Sequence, residues 1–122
     1  MHYYIWTFGC QMNKADSAKL AAGLDRMGHE PASRAEDADL LVVNKPAGLP
    51  VLPDGYNPDA PFLKGLLQAE HGPLWVVHRL DKDTSGVLVL ARNAAAHRSL
   101  NIQFEKRQVS KIYHALAMGI DR

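Results

Sequence analysis

The chain has 122 residues, of which 47% are hydrophobic and 22% charged, and its formal net charge is +1, a balance typical of one small soluble globular domain. Its single cysteine excludes an internal disulfide and a zinc site built on several thiolates, and its six scattered histidines predict no metal site. No apolar run reaches the roughly 18 residues of a membrane span, and the N-terminus lacks a signal-peptide pattern, so we expect a cytoplasmic protein without membrane contact.

The first 44 residues show a strand, helix, strand pattern. Residues 3–7 are aromatic and β-branched, which predicts a buried strand, and the apolar residues 40–43 predict a second one. Between them we predict a helix from Lys14 to Met27, ended by Gly28 and carrying an apolar stripe of Leu20, Leu24 and Met27. This pattern predicts a βαβ unit with a parallel strand pair and a right-handed crossover.

The remaining residues begin with a loop rich in proline and continue as alternating helices and strands. Residues 45–61 contain five prolines and two glycines, which is typical of turns. A helix follows Pro61 with the apolar stripe Phe62, Leu63, Leu66 and Leu67, and it ends at Gly72. Strands are predicted at residues 75–77, 87–91 and 109–118, with a helix between the last two that Asn93 caps and that runs to about Phe104.

The residues suited to chemistry lie in a polar loop between two of these strands, H-R-L-D-K-D-T-S-G at residues 78–86. A loop fixed at both ends by buried strands presents a carboxylate rigidly. Arg79 precedes Asp81 by two residues, and a nearby guanidinium keeps a carboxylate ionised and can also bind phosphate. The alternatives are a surface turn whose charges pair with each other, or a divalent-metal site at Asp81 and Asp83, which lacks a third acidic ligand.

This loop resembles the H-R-L-D-x-x-T-S-G motif of the RluA-type RNA pseudouridine synthases. N-K-P-A-G-L-P-V at residues 44–51 is similar to the N-K-P-x-G-x-x-V motif of that family, and A-R-N at 91–93, His97 and K-I-Y-H-A-L at 111–116 resemble its later landmarks. The resemblance implies isomerisation of uridine to pseudouridine in rRNA or tRNA without cofactor or metal. It implies Asp81 as the catalytic carboxylate, with Arg79 holding the flipped nucleotide and pairing with Asp81, and with Tyr113 packing against the uracil.

Residues 3–13, Y-Y-I-W-T-F-G-C-Q-M-N, resemble a different family, the MiaB-type radical-SAM methylthiotransferases that modify tRNA. In that family the cysteine matching Cys10 is one of three ligands of an iron–sulfur cluster. The second ligand follows in an N-T-C sequence, where this chain has Asn44-Lys45-Pro46. Because one thiolate does not hold such a cluster, we interpret Cys10 as a vestige or an ordinary buried thiol.

The chain therefore resembles a fusion joined within a strand that both families share, residues 40–44. We predict two domains, a methylthiotransferase-like segment at 1–44 and a partial pseudouridine synthase catalytic domain at 45–122. The fold class is α/β (mixed α+β), a βαβ unit joined to a partial pseudouridine-synthase mixed sheet with flanking helices. The synthase part stops soon after Tyr113, so we expect a truncated domain with little or no turnover alone. The alternatives are an N-terminal fragment of a radical-SAM tRNA methylthiotransferase, and a chimeric soluble fold without catalytic activity.

The charge distribution bears on the partner. Four Lys/Arg against six Asp/Glu give −2 in residues 1–44, whereas ten against seven give +3 in residues 45–122. The late basic residues Arg92, Arg98, Lys106, Arg107 and Lys111 predict either an RNA-binding face or a merely solvated one. Lys45 is interpreted as a phosphate contact or a solvated loop lysine. The unfinished sheet edges predict a possible homo-oligomer.

Overall fold

Five strands of two to six residues form one mixed sheet in the computed structural model, which describes residues 1–6 and 14–106. The strands are β1 (His2–Trp6), β2 (Glu30–Pro31), β3 (Leu40–Lys45), β4 (Trp75–Val76) and β5 (Gly86–Ala91). Their order across the sheet is β2-β1-β3-β5-β4. The helices in this part of the chain are α1 (Lys14–Arg26), α2 (Leu63–His71) and α3 (Ala94–Glu105), with a 3-10 turn at Ala35–Asp37.

The strand β3 is hydrogen-bonded on both of its sides. It runs parallel to β1, in a register from Tyr3 opposite Leu40 to Trp6 opposite Val43. It runs antiparallel to β5, from Leu40 opposite Ala91 to Lys45 opposite Gly86. The predicted parallel pair is thus confirmed, as is the mixed sheet in which residues 40–44 serve both parts of the chain.

Side chains alternate between the two faces of β3 and thereby contribute to two separate hydrophobic clusters. On one face, Leu41 and Val43 pack with buried residues of β5, of α2 and of the loop before α2: Leu88, Leu90, Leu63, Leu67 and Val51. On the other face, Leu40 and Val42 pack with Tyr3 and with residues of the other two helices: Ala96 and Leu100 of α3, and Leu20 and Leu24 of α1. The sheet is therefore covered by α2 on one face and by α1 and α3 on the other.

The helix boundaries follow the capping residues more closely than the apolar stripes. Gly28, at φ 88°, ends the segment that contains α1, and the Asn93 side chain accepts a hydrogen bond from Ala96 N at 2.8 Å, as predicted. The prediction that Met27 lies in the apolar stripe is wrong. Met27 is 72% exposed because α1 ends one residue earlier, at Arg26, so its side chain no longer follows the helical face. Leu66 is likewise 43% exposed, on the outer side of α2.

Two short elements were not predicted, and one predicted element lies outside the described residues. The strand β2 has two residues and the 3-10 turn has three, which is too short for a periodic pattern to be visible in the sequence. The strand predicted at residues 109–118 belongs to the part that the structure does not describe. Within residues 1–6 and 14–106, no helix has the length and apolar character that crossing a membrane requires.

Asp39, immediately before β3, joins four elements by hydrogen bonds. Its carboxylate accepts from His2 N at 2.9 Å and from the Asn93 side chain at 2.9 Å. Its backbone N donates to His2 O, and its carbonyl accepts from Arg92 N, each at 2.8 Å. The start of β1, the start of β3, the end of β5 and the cap of α3 therefore meet at this residue. The hydrogen bond from His2 is the main reason that the pKa of Asp39 lies below its usual 3.8.

We expect Asp39→Asn to lower the free energy of unfolding at pH 7 by about 1 kcal/mol, a modest figure because the side chain is partly exposed to solvent. A carboxyl group whose pKa is depressed by folding stabilises the protein above its unfolded pKa and loses that contribution as pH falls through the folded pKa. The difference between the two proteins should thus shrink as the pH is lowered from about 5 through 3.8 and below.

Urea denaturation of both proteins across this pH range measures the effect. Asp59→Asn is the matched control, because it removes the same charge at an exposed position outside this junction. A stability difference for Asp39→Asn that does not depend on pH would contradict the assignment.

Candidate active site

Two chain segments face each other across an open hollow of about 500 Å³. The first wall is formed by residues 50–53, in the loop between β3 and α2, and the second wall by residues 79–82, in the loop between β4 and β5. The first wall has the sequence P-V-L-P, with the side chain of Val51 buried in the core, whereas the second wall is R-L-D-K and carries three charged side chains around Leu80. Pro50, Leu52 and Pro53 therefore face a charged wall, an arrangement that suits a ligand with both a flat ring and polar groups.

The first wall is held by the start of α2. The backbone amides of Leu63 and Lys64, in the first turn of the helix, donate to the carbonyls of Pro50 and Val51 at 2.8 and 3.1 Å. Amides in the first turn of a helix have no partner inside the helix, so these bonds satisfy two of them. The side chain of Val51 is 2% exposed and belongs to the same hydrophobic cluster as Leu63. The first wall is therefore attached to α2 and to the hydrophobic core.

The second wall contains the predicted site residues Arg79 and Asp81. Both side chains are exposed at the hollow, and a turn closed by Thr84 N donating to Asp81 O at 3.0 Å follows them. The structure thus brings two of the three predicted site residues to one concave surface. The predicted ion pair between them is not among those formed within residues 1–6 and 14–106. Tyr113 lies outside the described residues.

Lys45 is the residue at this site whose role the sequence did not reveal. Its side chain is 0% exposed, so the prediction of a solvated or phosphate-binding lysine is wrong. Its Nζ donates to three backbone carbonyls, those of Pro46 at 2.9 Å, Leu49 at 2.7 Å and Lys82 at 2.8 Å. Burial lowers the pKa of Lys45 from its usual 10.5, against the opposing influence of Asp83 and Asp81. The alternation of β3 was the available signal, because it places Lys45 on the same face as Leu41 and Val43.

His78, the first residue of the polar loop, has a structural contact. Its Nε2 accepts a hydrogen bond from Val89 N at 3.0 Å, just beyond Val76, where the pairing of β4 with β5 ends. Its ring stacks on Phe104 of α3, with centroids 4.7 Å apart. The imidazole thereby continues the hydrogen bonding of β5 and fixes the start of the second wall.

The late basic cluster is not a single face. Arg92 donates from its guanidinium to His71 O at 2.6 Å and so binds the C-terminal end of α2, where a positive charge is favourable. Arg98 and Lys106 are exposed, and Arg107 and Lys111 lie outside the described residues. Arg92 is therefore removed from the candidate RNA-binding residues.

The alternative of a metal site at Asp81 and Asp83 gains no support. Across residues 1–6 and 14–106, no group of three or more His, Cys, Asp or Glu side chains is placed to hold a metal ion. Cys10, the residue matched to an iron–sulfur ligand, lies outside these ranges, and the whole sequence contains no second cysteine.

Two family models match the chain. That of RNA pseudouridylate synthase matches residues 39–120, and that of the uncharacterized protein family UPF0004, the MiaB-type N-terminal segment, matches residues 2–46. The two matches overlap at residues 39–46, which contain β3. The predicted fusion of the two families at this strand is confirmed.

Individual relatives agree with the longer match. The chain is 41% identical over 90 residues to a ribosomal large subunit pseudouridine synthase D of Haemophilus ducreyi and 46% identical over 92 residues to one of Neisseria meningitidis serogroup A. Each match covers 70% of this chain but only 28% and 24% of the relative. A solved structure, human RNA pseudouridylate synthase domain containing 4, is 34% identical with a TM-score of 0.44, over 79% of this chain and 36% of that one. The chain thus spans about a quarter of the length of these curated relatives.

Gly48 links the loop after β3 to the second wall, and we expect Gly48→Ala to destabilise that link. Its φ is 88°, a region that side chains with a Cβ adopt at a cost of about 1–2 kcal/mol, and its N–H donates to Lys82 O at 2.8 Å. No atom lies within 4 Å of an added Cβ, so backbone strain alone should lower the free energy of unfolding, by about 1 kcal/mol.

Gly55→Ala is the matched control, because Gly55 lies in the same loop, has equally open surroundings and no positive φ. We expect that variant to stay within about 0.5 kcal/mol of the parent in urea denaturation. Equal effects of the two substitutions would contradict a strained position at Gly48.

Proposed function

The chain belongs to the RNA pseudouridylate synthase family, and from that membership we propose that the hollow between the two walls receives a uridine of RNA for isomerisation to pseudouridine. The observation that supports this proposal is the placement of Asp81 and Arg79 on one rim of a concave site, opposite an apolar wall. We propose rRNA as the substrate, because the curated relatives are named for the ribosomal large subunit.

The reaction breaks one bond and forms another without any net change in atoms. The bond between ribose C1′ and uracil N1 breaks, the uracil turns, and C5 bonds to C1′, while the proton lost from C5 is balanced by one gained at N1. Asp81 would act at the ribose as nucleophile or as general base. No oxidant or reductant is needed for this balance.

The two walls suit the two parts of a nucleotide. Uracil is a flat ring that must leave the base stack before it reacts, and the apolar first wall with Leu80 offers it a surface. The phosphates on either side of the uridine are negative, and Arg79 and Lys82 lie on the charged second wall. Tyr113, as a further surface for the uracil ring, is part of the proposal and rests on its place in the family motif.

The same proposal includes a cytoplasmic location and an incomplete catalytic unit. Because the chain spans only about a quarter of its curated relatives, activity of the whole enzyme is proposed for the complete domain rather than for these residues alone. Self-association through the sheet edges also remains part of the proposal. Among residues 1–6 and 14–106 the edge strands are β2 and β4, each two residues long, and light scattering would measure the oligomeric state.

The methylthiotransferase alternative does not receive the same support. Its iron–sulfur chemistry needs several cysteine ligands, and the sequence has one. The residues present do not fit such a cluster, so no step of the proposed function depends on it.

We expect Arg79→Gln to weaken binding of a large-subunit rRNA fragment. If Arg79 neutralises one phosphate, the logarithmic dependence of affinity on salt should become shallower by about 0.7–0.9 in the variant. Arg34→Gln is the matched control, because Arg34 is an exposed arginine of the 3-10 turn region that pairs with Asp37. Fluorescence anisotropy at several salt concentrations measures both. An unchanged affinity and slope for Arg79→Gln would refute RNA binding at this hollow.

We expect this chain alone to convert little or no uridine in the same RNA, because it spans only about a quarter of the length of its curated relatives. The measurement is the pseudouridine content of the RNA after digestion to nucleosides and chromatography. Clear product formation that disappears in Asp81→Ala would contradict the expected inactivity while supporting Asp81 as the catalytic carboxylate. Product that persists in Asp81→Ala would contradict the assignment of Asp81.

A further inference from the structure

Three hydrogen bonds of one buried side chain connect the segments that form the candidate site. Lys45 is the last residue of β3, and its Nζ lies within 2.7–2.9 Å of the carbonyl oxygens of Pro46, Leu49 and Lys82. Pro46 and Leu49 belong to the loop that leads directly into the first wall at residue 50. Lys82 belongs to the second wall and follows Asp81 in the chain. The lysine therefore contacts both the loop that leads into the first wall and the second wall itself.

The number of donors matches the number of acceptors. A lysine ammonium carries three N–H groups, and the three carbonyls take one each. The side chain is 0% exposed, so water does not replace a missing partner. A neutral amine has only two N–H groups and would leave one of the three carbonyls without its hydrogen bond from Lys45. The protonated form is therefore the one that holds all three carbonyls.

The carbonyl of Lys82 is the most constrained of the three. It accepts from Lys45 Nζ at 2.8 Å and also from Gly48 N at 2.8 Å. Both lone pairs of this oxygen are thus used. The Lys82 carbonyl belongs to the peptide group directly after the one that joins Asp81 to Lys82. The carbonyl of Asp81 itself, one peptide group earlier, accepts from Thr84 N at 3.0 Å. The two peptide groups that follow the Cα of Asp81 are thereby both hydrogen-bonded.

We propose that Lys45 is a positioning residue, whose buried ammonium fixes the orientation of the Asp81 backbone relative to the first wall through the carbonyls of Leu49 and Lys82. Its role at the reaction rests on the proposed function of the hollow, but the contacts themselves do not. Lys45 has no exposed surface and so does not touch a substrate. It acts by keeping the distance between the two walls and the orientation of the Asp81 backbone fixed.

Lys45→Met tests this proposal, because methionine has a similar length and no N–H donors. Amide hydrogen exchange should show protection at Gly48 and Thr84 reduced by about tenfold or more, while the amides of β5 keep theirs. The backbone and carboxyl carbon signals of Asp81 should also move. Lys19→Met is the matched control, since it removes the same charge from an exposed position on α1. Unchanged protection and unchanged Asp81 signals in a folded Lys45→Met protein would overturn the proposal.

A titration of the unsubstituted chain gives a second test that does not depend on the variant folding. The carbonyl carbon signals of Pro46, Leu49 and Lys82 should shift together with one midpoint below 10.5, as Lys45 loses its proton. The carbonyls of β5 serve as the internal reference. A Lys82 signal that does not follow the other two would overturn the proposal. Neither measurement involves RNA, so a failure to bind RNA would refute the proposed function and leave the role of Lys45 standing.

Discussion

The strand β3 is paired on both sides, with β1 in parallel and with β5 antiparallel, and the rest of the structure is arranged around it. Its alternating side chains supply both hydrophobic clusters, Leu41 and Val43 to one and Leu40 and Val42 to the other. Asp39 at its start joins β1, β5 and α3, and Lys45 at its end joins the two walls of the hollow. A strand buried on both faces and bonded on both edges is the most rigid support that a small sheet offers.

The geometry of the candidate site depends on its attachment to β3. Exposed side chains such as Arg79 and Asp81 lose their directional precision unless their backbone is fixed, because each has freely rotating bonds. Here the fixing is done by hydrogen bonds from β3 and from its following loop to a single carbonyl, that of Lys82. The charge that fixes the backbone, on the Lys45 ammonium, is buried. The charged side chains that face the hollow, those of Arg79, Asp81 and Lys82, are exposed. Structural and chemical roles are thus divided between residues that are close in space and far apart in sequence.

Much of the fold could be predicted because local signals agree with the tertiary structure. Asn93 caps α3, Gly28 follows α1, and the apolar runs at 40–43 and 87–91 became paired strands. The family motif placed Arg79 and Asp81 on one loop, and the structure puts both at the hollow. Their predicted ion pair did not form among the described residues, because spacing in sequence does not fix the direction of two exposed side chains.

What could not be predicted depended on partners distant in the chain. A lysine beside a proline-rich loop is normally solvated, and only the carbonyl of Lys82, 37 positions away, explains why Lys45 is buried. Asp39 likewise resembled an ordinary polar residue before a strand until His2 and Asn93 were placed beside it. For Met27 the local signal was misleading rather than absent. The helical spacing of apolar residues continues in the sequence to Met27, but α1 ends at Arg26 and Met27 is exposed.

The shared strand restricts how two genes can be joined at this point. Because successive side chains of β3 point to opposite faces, shifting one partner sequence by a single position would send Leu41 and Val43 toward α1 and α3 and bring Leu40 and Val42 under α2. Only crossovers that leave the odd-numbered and even-numbered residues of β3 on their own faces of the sheet keep each helix over its own apolar residues. A join within residues 39–46, where the two family matches overlap, therefore keeps each helix over its own apolar residues only if it preserves the alternation of the strand as well as the reading frame.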